Sequence, residues 1–277
     1  MIASFVITFR EVLEAALVVG IVLGYLARIG QRRYNRWVYL GLLAAIAASL
    51  VGAWLFNALA GGFTGRAEQI FEGVTMLTGA LLLTTMILWM MHQQHIAGEL
   101  QDKVAAQVTE ANKLGLLSLV FIAVLREGVE TVIFLGAASL ASSETSLPGA
   151  LAGIAAAAIL GYGIFASAMK VNLKTFFGVT SVVLILFAAG LVGAGVHELQ
   201  EANIVPVIVA RVWNLNPPLN ADGSFPLLHE EGYVGSILHA LFGYNASPSL
   251  PEVLSYLAYL AGVGVLWRKA RRAFQHG

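Results

Sequence analysis

The sequence Arg10-Glu-Val-Leu-Glu14 is repeated as Arg126-Glu-Gly-Val-Glu130, 116 residues later. Because an α-helix advances about 100° per residue, the arginine and both glutamates of each copy fall within an arc of about 100°. The two glutamates of one copy are then about 4.5 Å apart along the helix axis. Each motif therefore places three charges on one face of a helix.

Both motifs lie inside long apolar segments, at residues 2–27 and 114–140. The chain of 277 residues is 58% hydrophobic and only 12% charged, about half the charged fraction of an ordinary soluble domain. Five further segments are long enough to cross about 30 Å of hydrocarbon as helices, at residues 37–65, 73–98, 145–169, 175–197 and 250–267. The sequence therefore predicts an all-α, polytopic membrane protein with seven transmembrane helices in a single domain, residues 1–277.

A second sequence repeat supports an internal symmetry. Phe71-Glu-Gly-Val-Thr75 at the start of span three matches Phe176-Phe-Gly-Val-Thr180 at the start of span six. Spans one to three (about residues 1–98) are thus predicted to be a copy of spans four to six (about 114–201), with the seventh helix (about 250–267) added. Because three is odd, the second copy must enter the membrane from the opposite side, which gives the inverted 3+3 repeat typical of secondary transporters.

The motif charges predict a metal site. A charged side chain near mid-bilayer costs roughly 2.5–3.5 kcal/mol, so both motif faces are expected to point into the bundle and to meet. Four carboxylates and two guanidiniums then carry a formal charge of minus two, and hard oxygen ligands suit a hard multivalent cation. The predicted metal ligands are Glu11, Glu14, Glu127 and Glu130, with Arg10 and Arg126 organising them. A purely structural ion pair within each helix would leave one acid of each motif unexplained.

The motifs resemble those of a known family, and the resemblance extends to three further positions: Phe71-Glu-Gly73, His197-Glu198 and Phe242-Gly-Tyr244. Together they are similar to the oxidase-dependent high-affinity iron permease family, especially its bacterial ferrous iron uptake permeases, over essentially the whole chain. The resemblance implies iron import with both paired glutamates required, often with an extracytoplasmic oxidase supplying ferric iron. The fungal motif usually has Gly-Leu between the acids, whereas this chain has Val12-Leu13 and Gly128-Val129, and the identity of the metal stays open.

Polar residues near the ends of the spans are candidates for the metal path. The candidates on the outer side, where metal would enter, are Glu68, Glu72, His197, Glu198 and Glu201. The candidates for release on the inner side are His92 and His95. For the outer acids, an ordinary solvated helix end explains the residues about as well, and for the histidines an interfacial position is the simpler explanation. The outer loop of residues 202–251 is predicted to be solvated, because turn-forming residues fill its first half.

Basic residues predict the orientation, since they stay preferentially on the cytoplasmic side. Twelve of the fourteen Lys and Arg residues in the connections fall on one side. The expected location is the inner (cytoplasmic) membrane, with the N-terminus outside and the C-terminus in the cytoplasm.

Composition limits the alternatives. Cysteine is absent and the sixteen basic and sixteen acidic residues cancel, so thiolate metal sites are excluded and no nucleic-acid partner is indicated. Iron is expected as transported substrate rather than as a permanent cofactor, and the other expected partners are the lipid bilayer and an oxidase or iron-delivery protein. A permease for manganese or lead, or an intramembrane carboxylate metalloenzyme, remains the alternative to an iron transporter without enzymatic activity.

Overall fold

The computed structural model describes residues 1–92, 96–109, 112–141, 147–166, 173–220, 224–230 and 232–275. Over these residues the chain is helical apart from turns and irregular loops, and no β-strand is present, which confirms the all-α prediction for the described part. The helices are α1 (Ile2–Arg28), α2 (Asn35–Ala60), α3 (Arg66–His92), α4 (Ile96–Thr109), α5 (Lys113–Ala141), α6 (Leu147–Ala166), α7 (Leu173–Glu201), α8 (Tyr233–Phe242) and α9 (Leu250–Gln275).

Within the described residues, five segments are long and apolar enough to cross a membrane. They are Arg32–Ala60, Arg66–Trp89, Leu147–Ile164, Gly178–Glu201 and Leu250–Lys269. Helices α1 and α5, with 27 and 29 residues, are about 40 Å long and also exceed the hydrocarbon thickness. They fall outside this set because each carries the three charges of a motif in its central turns. The chain is therefore a multi-pass membrane protein.

The long helices pack mainly in three pairs. Helix α1 lies along α6, α2 along α5, and α3 along α7, while α9 covers α7 and α1 crosses α5. Glycines allow the close approach that lipid-embedded helices use for packing. A Cβ added at Gly41 of α2 would lie 2.6 Å from the carbonyl oxygen of Leu117 in α5, and one at Gly149 of α6 would overlap the carbonyl oxygen of Met1, which precedes α1.

Two apolar clusters fill the interior, one on each side of the motifs. Along α1, Ile7 belongs to the first cluster and Val19 to the second, so the charged residues 10–14 lie between them. Along α5 the order is reversed, with Val124 in the second cluster and Phe134 in the first. The two motif helices therefore run antiparallel past each other, and their charged turns meet at the crossing.

Two short helices complete the fold. Helix α4 packs against the interior of the bundle, because Val104 is fully buried within the second apolar cluster. Helix α8 lies in the connection between α7 and α9, and it is followed by Gly243, whose φ of 65° is the left-handed conformation that favours glycine at a helix C-terminus.

The described residues in the first half of the connection between α7 and α9 are mostly exposed, as the prediction of a solvated loop requires, but the loop is also held in place by hydrogen bonds. Its backbone pairs with itself, since the Val212 amide donates to Pro248 at 2.9 Å and the Leu215 amide donates to Ala246 at 2.8 Å. The ring of His239 in α8 contacts the carbonyl oxygen of Ala141, the last residue of α5. Side-chain and backbone hydrogen bonds therefore hold this loop against the helix ends.

Candidate metal site

The first motif forms a largely buried ion-pair group on α1. The Nη1 atom of Arg10 donates to Glu11 at 3.0 Å, and its Nη2 atom lies 3.1 Å from the carboxylate of Glu14. Arg10 and Glu11 are 0% and 1% exposed, so water does not reach this pair. A third contact joins Arg10 Nη1 to the sulfur of Met86 in α3 at 2.7 Å. The i, i+4 spacing predicted from the sequence thus places one arginine between two acids.

The second motif repeats this arrangement on α5 with a different arginine geometry. The Nε atom of Arg126 contacts both acids, Glu127 at 3.4 Å and Glu130 at 3.1 Å. Its guanidinium carbon lies 4.7 Å from the centre of the Trp89 ring in α3. The side chain of Arg126 is 44% exposed, whereas the glutamates beside it are largely buried. The two copies of the motif are therefore alike in their acids and unlike in their arginines.

The two motifs converge at the crossing of α1 and α5. One carboxylate oxygen from each of Glu11, Glu14 and Glu127 can be chosen so that all three lie within 4.8 Å of one another. Glu130 is not part of that trio, but it lies close enough to Glu14 and Arg10 for direct charge interaction. Among the described residues this is the only group of three or more potential metal ligands whose ligand atoms all lie within 4.8 Å of one another.

Several carboxylate oxygens at the crossing lack a hydrogen-bond donor within the described residues. These buried atoms are Oε2 of Glu11, Oε2 of Glu127 and Oε2 of Glu130. A buried polar atom without a partner costs roughly 1–3 kcal/mol, and more when it is charged. A cation that several carboxylates bind together would satisfy these oxygens, and oxygen-only ligands suit a hard ion. The donor set therefore fits metal binding.

The outer candidates gather where α3 begins and α7 ends. His197 contacts Glu201 at 3.3 Å with Nε2 and Glu252 at 3.0 Å with Nδ1, and Gln69 donates to Glu201 at 3.0 Å. Glu68, Glu72 and Glu198 lie within charge-interaction range of one another. The structure thus brings all five predicted outer residues to one end of the bundle.

Glu252 is a member of this outer group that the sequence analysis missed. It is 6% exposed, and its carboxylate accepts hydrogen bonds from Ser249 and, at 2.7 Å, from the amide of Asn245. The backbone amide of Ser249 also donates to Glu252, while the amide of Glu252 donates back to the hydroxyl of Ser249. This is a capping box at the start of α9, so the spacing Ser249-x-x-Glu252 was the available signal.

A cavity of about 890 Å³ opens beneath the outer loop. Its polar lining comes from His197, Glu198, Glu230, His239 and Glu252. Apolar residues of α3 and α7, including Met76 and Leu191, form part of its wall and also belong to the first apolar cluster. The cavity is much larger than a bare ion.

The inner candidates receive no test from the structure. His95 lies outside the described residues, and the side chain of His92, at the end of α3, also lies outside them. Their part in metal release stays a prediction.

Comparison with known proteins gives a consistent result. The family model described as the iron permease FTR1 family matches residues 1–272. A ferrous iron permease, EfeU, of Escherichia coli O6:H1 is 32% identical over 264 residues, which are 94% of this chain and 92% of the relative. The EfeU of Yersinia pestis is 30% identical over 96% of this chain and 93% of the relative. An uncharacterized protein of Archaeoglobus fulgidus is 36% identical over 98% of this chain and 96% of its own length. No solved structure matches the chain at a significant level.

Proposed function

The chain belongs to the iron permease FTR1 family and imports iron, and we propose that the metal crosses the membrane through the carboxylates of Glu11, Glu14, Glu127 and Glu130. As a permease, the protein is a transporter rather than an enzyme. The observation that carries the proposal is the buried convergence of carboxylate oxygens from α1 and α5 within 4.8 Å. Carboxylate oxygens that stay buried beside the two arginines, without a donor among the described residues, would be satisfied by a bound cation, and the cation that an iron permease transports is iron.

Ferrous iron is the form that this cluster binds under the proposal. The Escherichia coli and Yersinia pestis relatives are named ferrous iron permeases. When all groups are ionised, four glutamates and two arginines sum to minus two, so one Fe²⁺ makes the cluster neutral. One Fe³⁺ would leave an excess positive charge in a low-dielectric interior, where unpaired charge is costly. Manganese, the alternative substrate, prefers similar oxygen ligands, so the uptake experiment includes Mn²⁺.

The route to the cluster begins at the outer ends of α3 and α7. We assign the collection of cations to the acidic group there, because several carboxylates at one end of the bundle raise the local concentration of cations. The members are Glu68, Glu72, His197, Glu198 and Glu201. Release past His92 and His95 is proposed from their sequence positions alone. Delivery by an extracytoplasmic oxidase or iron-donating protein is proposed from the family resemblance alone.

The architecture proposed for this function is seven spanning helices with an inverted repeat, in which α1, α2 and α3 correspond to α5, α6 and α7. The helix pairs support it, since exchanging the two sets converts the α1–α6 pair into the α5–α2 pair and leaves the α3–α7 pair unchanged. The glycine contacts agree, because Gly41 faces the carbonyl oxygen of Leu117 and Gly149 faces that of Met1. Leu117 follows Met1 by 116 residues, the same offset as the motifs.

The proposed location is the inner membrane, with the start of α1 outside and the end of α9 in the cytoplasm, as the distribution of basic residues indicates. In this orientation the membrane potential favours import. Moving a divalent cation inward across 100 mV gains about 4.6 kcal/mol, from about 2.3 kcal/mol per unit charge.

Uptake by the purified protein in liposomes tests the proposal. Fe²⁺, Fe³⁺ and Mn²⁺ are presented separately under a potential that is negative inside. We expect Fe²⁺ uptake to fall at least tenfold in Glu127→Gln, which keeps the shape of the side chain and removes a charged hard ligand. Asp102→Asn, an equivalent change at an exposed position on α4, is the matched control. Unchanged Fe²⁺ uptake in well-folded Gln variants of all four glutamates would contradict the proposed route.

A further inference from the structure

Two side chains of α3 contact the two motif arginines. The sulfur of Met86 lies 2.7 Å from Nη1 of Arg10, and the ring centre of Trp89 lies 4.7 Å from the guanidinium carbon of Arg126. Positions three residues apart share one face of a helix, so a single face of α3 reaches both arginines. Neither residue carries a charge, and neither has a role in the proposed metal route.

The contact between Trp89 and Arg126 leaves oxygens of the neighbouring glutamates without a hydrogen-bond donor in the part of the chain that the structure describes. Arg126 reaches Glu127 and Glu130 with Nε, while its guanidinium carbon lies over the ring of Trp89. Oε2 of Glu127 and Oε2 of Glu130 are buried and have no donor among the described residues. Trp89 thus holds the guanidinium beside the acids, in a position where these oxygens stay available.

We propose that Met86 and Trp89 are positioning residues of the iron site, which hold the guanidiniums of Arg10 and Arg126 when the glutamates bind metal. The inference rests on the proposed function, because it requires the four glutamates to bind the transported ion.

Residues that hold the arginines are needed because the arginines compete with the metal ion for the glutamates. The arginines and the metal ion bind the same carboxylate oxygens, so loading the site with iron weakens the ion pairs on both helices. A guanidinium that loses its acid carries a large penalty where it is fully buried, as at Arg10, and a smaller one where it is partly exposed, as at Arg126. An aromatic face attracts the cation by roughly 0.5–2 kcal/mol and offers no anionic oxygen to the metal. Trp89 can therefore retain Arg126 without taking part in metal binding.

The inverted repeat offers no equivalent pair on α7. The offset of 105 residues between Phe71-Glu-Gly and Phe176-Phe-Gly places Met86 opposite Leu191 and Trp89 opposite Ala194. Neither residue has an aromatic face or a sulfur atom. Both contacts with the arginines therefore come from α3, and neither comes from the equivalent positions of α7. The surroundings of the two arginines are unequal as well, since Arg10 is 0% exposed and Arg126 is 44% exposed.

An ordinary interfacial tryptophan is the simpler alternative for Trp89, and the chain provides a matched control for it. Trp54 on α2 is 69% exposed among other exposed apolar side chains, as expected for a residue that faces lipid. If Trp89 only anchors the protein in the bilayer, Trp89→Leu and Trp54→Leu should behave alike.

The test measures Fe²⁺ affinity of the full-length purified protein, under anaerobic conditions, together with transport KM and kcat in liposomes. Without the ring, the guanidinium of Arg126 moves onto Glu127 and Glu130 and competes with iron. We expect Trp89→Leu to raise the Kd and the KM for Fe²⁺ by about 2- to 30-fold, the range that corresponds to one cation–π contact. Trp89→Phe should restore most of the affinity, and Trp54→Leu should leave it unchanged. Met86→Leu, which preserves volume and removes the sulfur acceptor, should weaken Fe²⁺ binding in the same direction.

A double variant separates positioning from packing. In an Arg126→Gln background there is no guanidinium to hold, so Trp89→Leu should cause no additional change in Kd. An equal change in Kd with and without Arg126, or a Trp89→Leu protein with unaltered Fe²⁺ affinity, would overturn the inference. That result would leave the proposed function intact, because the glutamate variants test the route itself.

Discussion

Arg10 and Arg126 occupy equivalent positions in the two motifs, yet the structure gives them different surroundings. Arg10 is fully buried and reaches two acids with its two terminal nitrogens. Arg126 is nearly half exposed and reaches its two acids through Nε. A lysine keeps the charge but has a single compact ammonium group, so it cannot reproduce the planar fork of Arg10. The same substitution should therefore have unequal consequences at the two positions.

The corresponding prediction concerns the free energy of unfolding. Arg10→Lys should lower it by about 2 kcal/mol, the value of a buried hydrogen bond to a charged group. Arg126→Lys should lower it by less than about 1 kcal/mol, as for a partly exposed ion pair. Thermal unfolding in detergent micelles compares the two variants, with Arg28→Lys at an exposed helix end as the reference. An equal decrease in the free energy of unfolding for both variants would contradict the expected effect of burial.

Helix α8 is attached to the end of α5 through the ring of His239. Nδ1 lies 2.8 Å from the carbonyl oxygen of Tyr244 and Nε2 lies 3.0 Å from that of Ala141. Since both ring nitrogens face oxygen acceptors, both carry protons and the ring is cationic, with Glu230 at 3.4 Å as its counter-ion. The hydrogen bond to Glu230 is the largest cause that raises the pKa of His239 to about 9, and the same bond lowers the pKa of Glu230.

These shifts predict how the attachment of α8 depends on pH. The raised pKa of His239 means that its contribution is complete below about pH 6.5 and is lost as pH rises through about 9. The lowered pKa of Glu230 means that its contribution is present above about pH 4.5 and is lost at more acidic pH. Limited proteolysis of the outer loop should therefore be several-fold faster at pH 9.5 than at pH 7.

The variant His239→Gln should be cleaved rapidly at both pH values, because the charged contact is absent. His229→Gln, at a half-buried ring that lies against Phe225 in the same loop, is the control and should keep the wild-type response. A wild-type pH profile in His239→Gln would mean that other contacts hold α8 in place.

The elements that the sequence predicted well are those with a local signal. The i, i+4 spacing predicted that Arg10 and Glu14 share a helix face, and the structure confirms their contact. The apolar segments predicted helices, and all of the described part is helical or irregular. In contrast, Met86 and Trp89 look like ordinary apolar residues of a span, because their contacts with the arginines depend on how α3 crosses α1 and α5. No periodicity within one helix encodes that crossing.

At the scale of the whole molecule, apolar packing separates the outer cavity from the glutamates. Met76 and Leu191 belong both to the cavity wall and to the first apolar cluster, which also contains Ile7 and Phe134 of the motif helices. A hydrated cation cannot cross such packing without a large desolvation cost. Under the proposed route, passage from this cavity to the glutamates requires α3 and α7 to move relative to α1 and α5, as in a transporter with alternating access.

The orientation of the molecule gives the last prediction. The chain has no cysteine, so single cysteines introduced at chosen positions report topology without interference. Ser224→Cys lies at an exposed position of the outer loop, and Gln275→Cys lies at the end of α9. An impermeant thiol reagent should label the first variant in intact cells and the second only after the membrane is permeabilised. Helix α9 is the one proposed span between these two positions, so it places them on opposite sides of the membrane. Equal labelling of both in intact cells would contradict a membrane-spanning α9, and labelling of the second variant alone would contradict the proposed orientation.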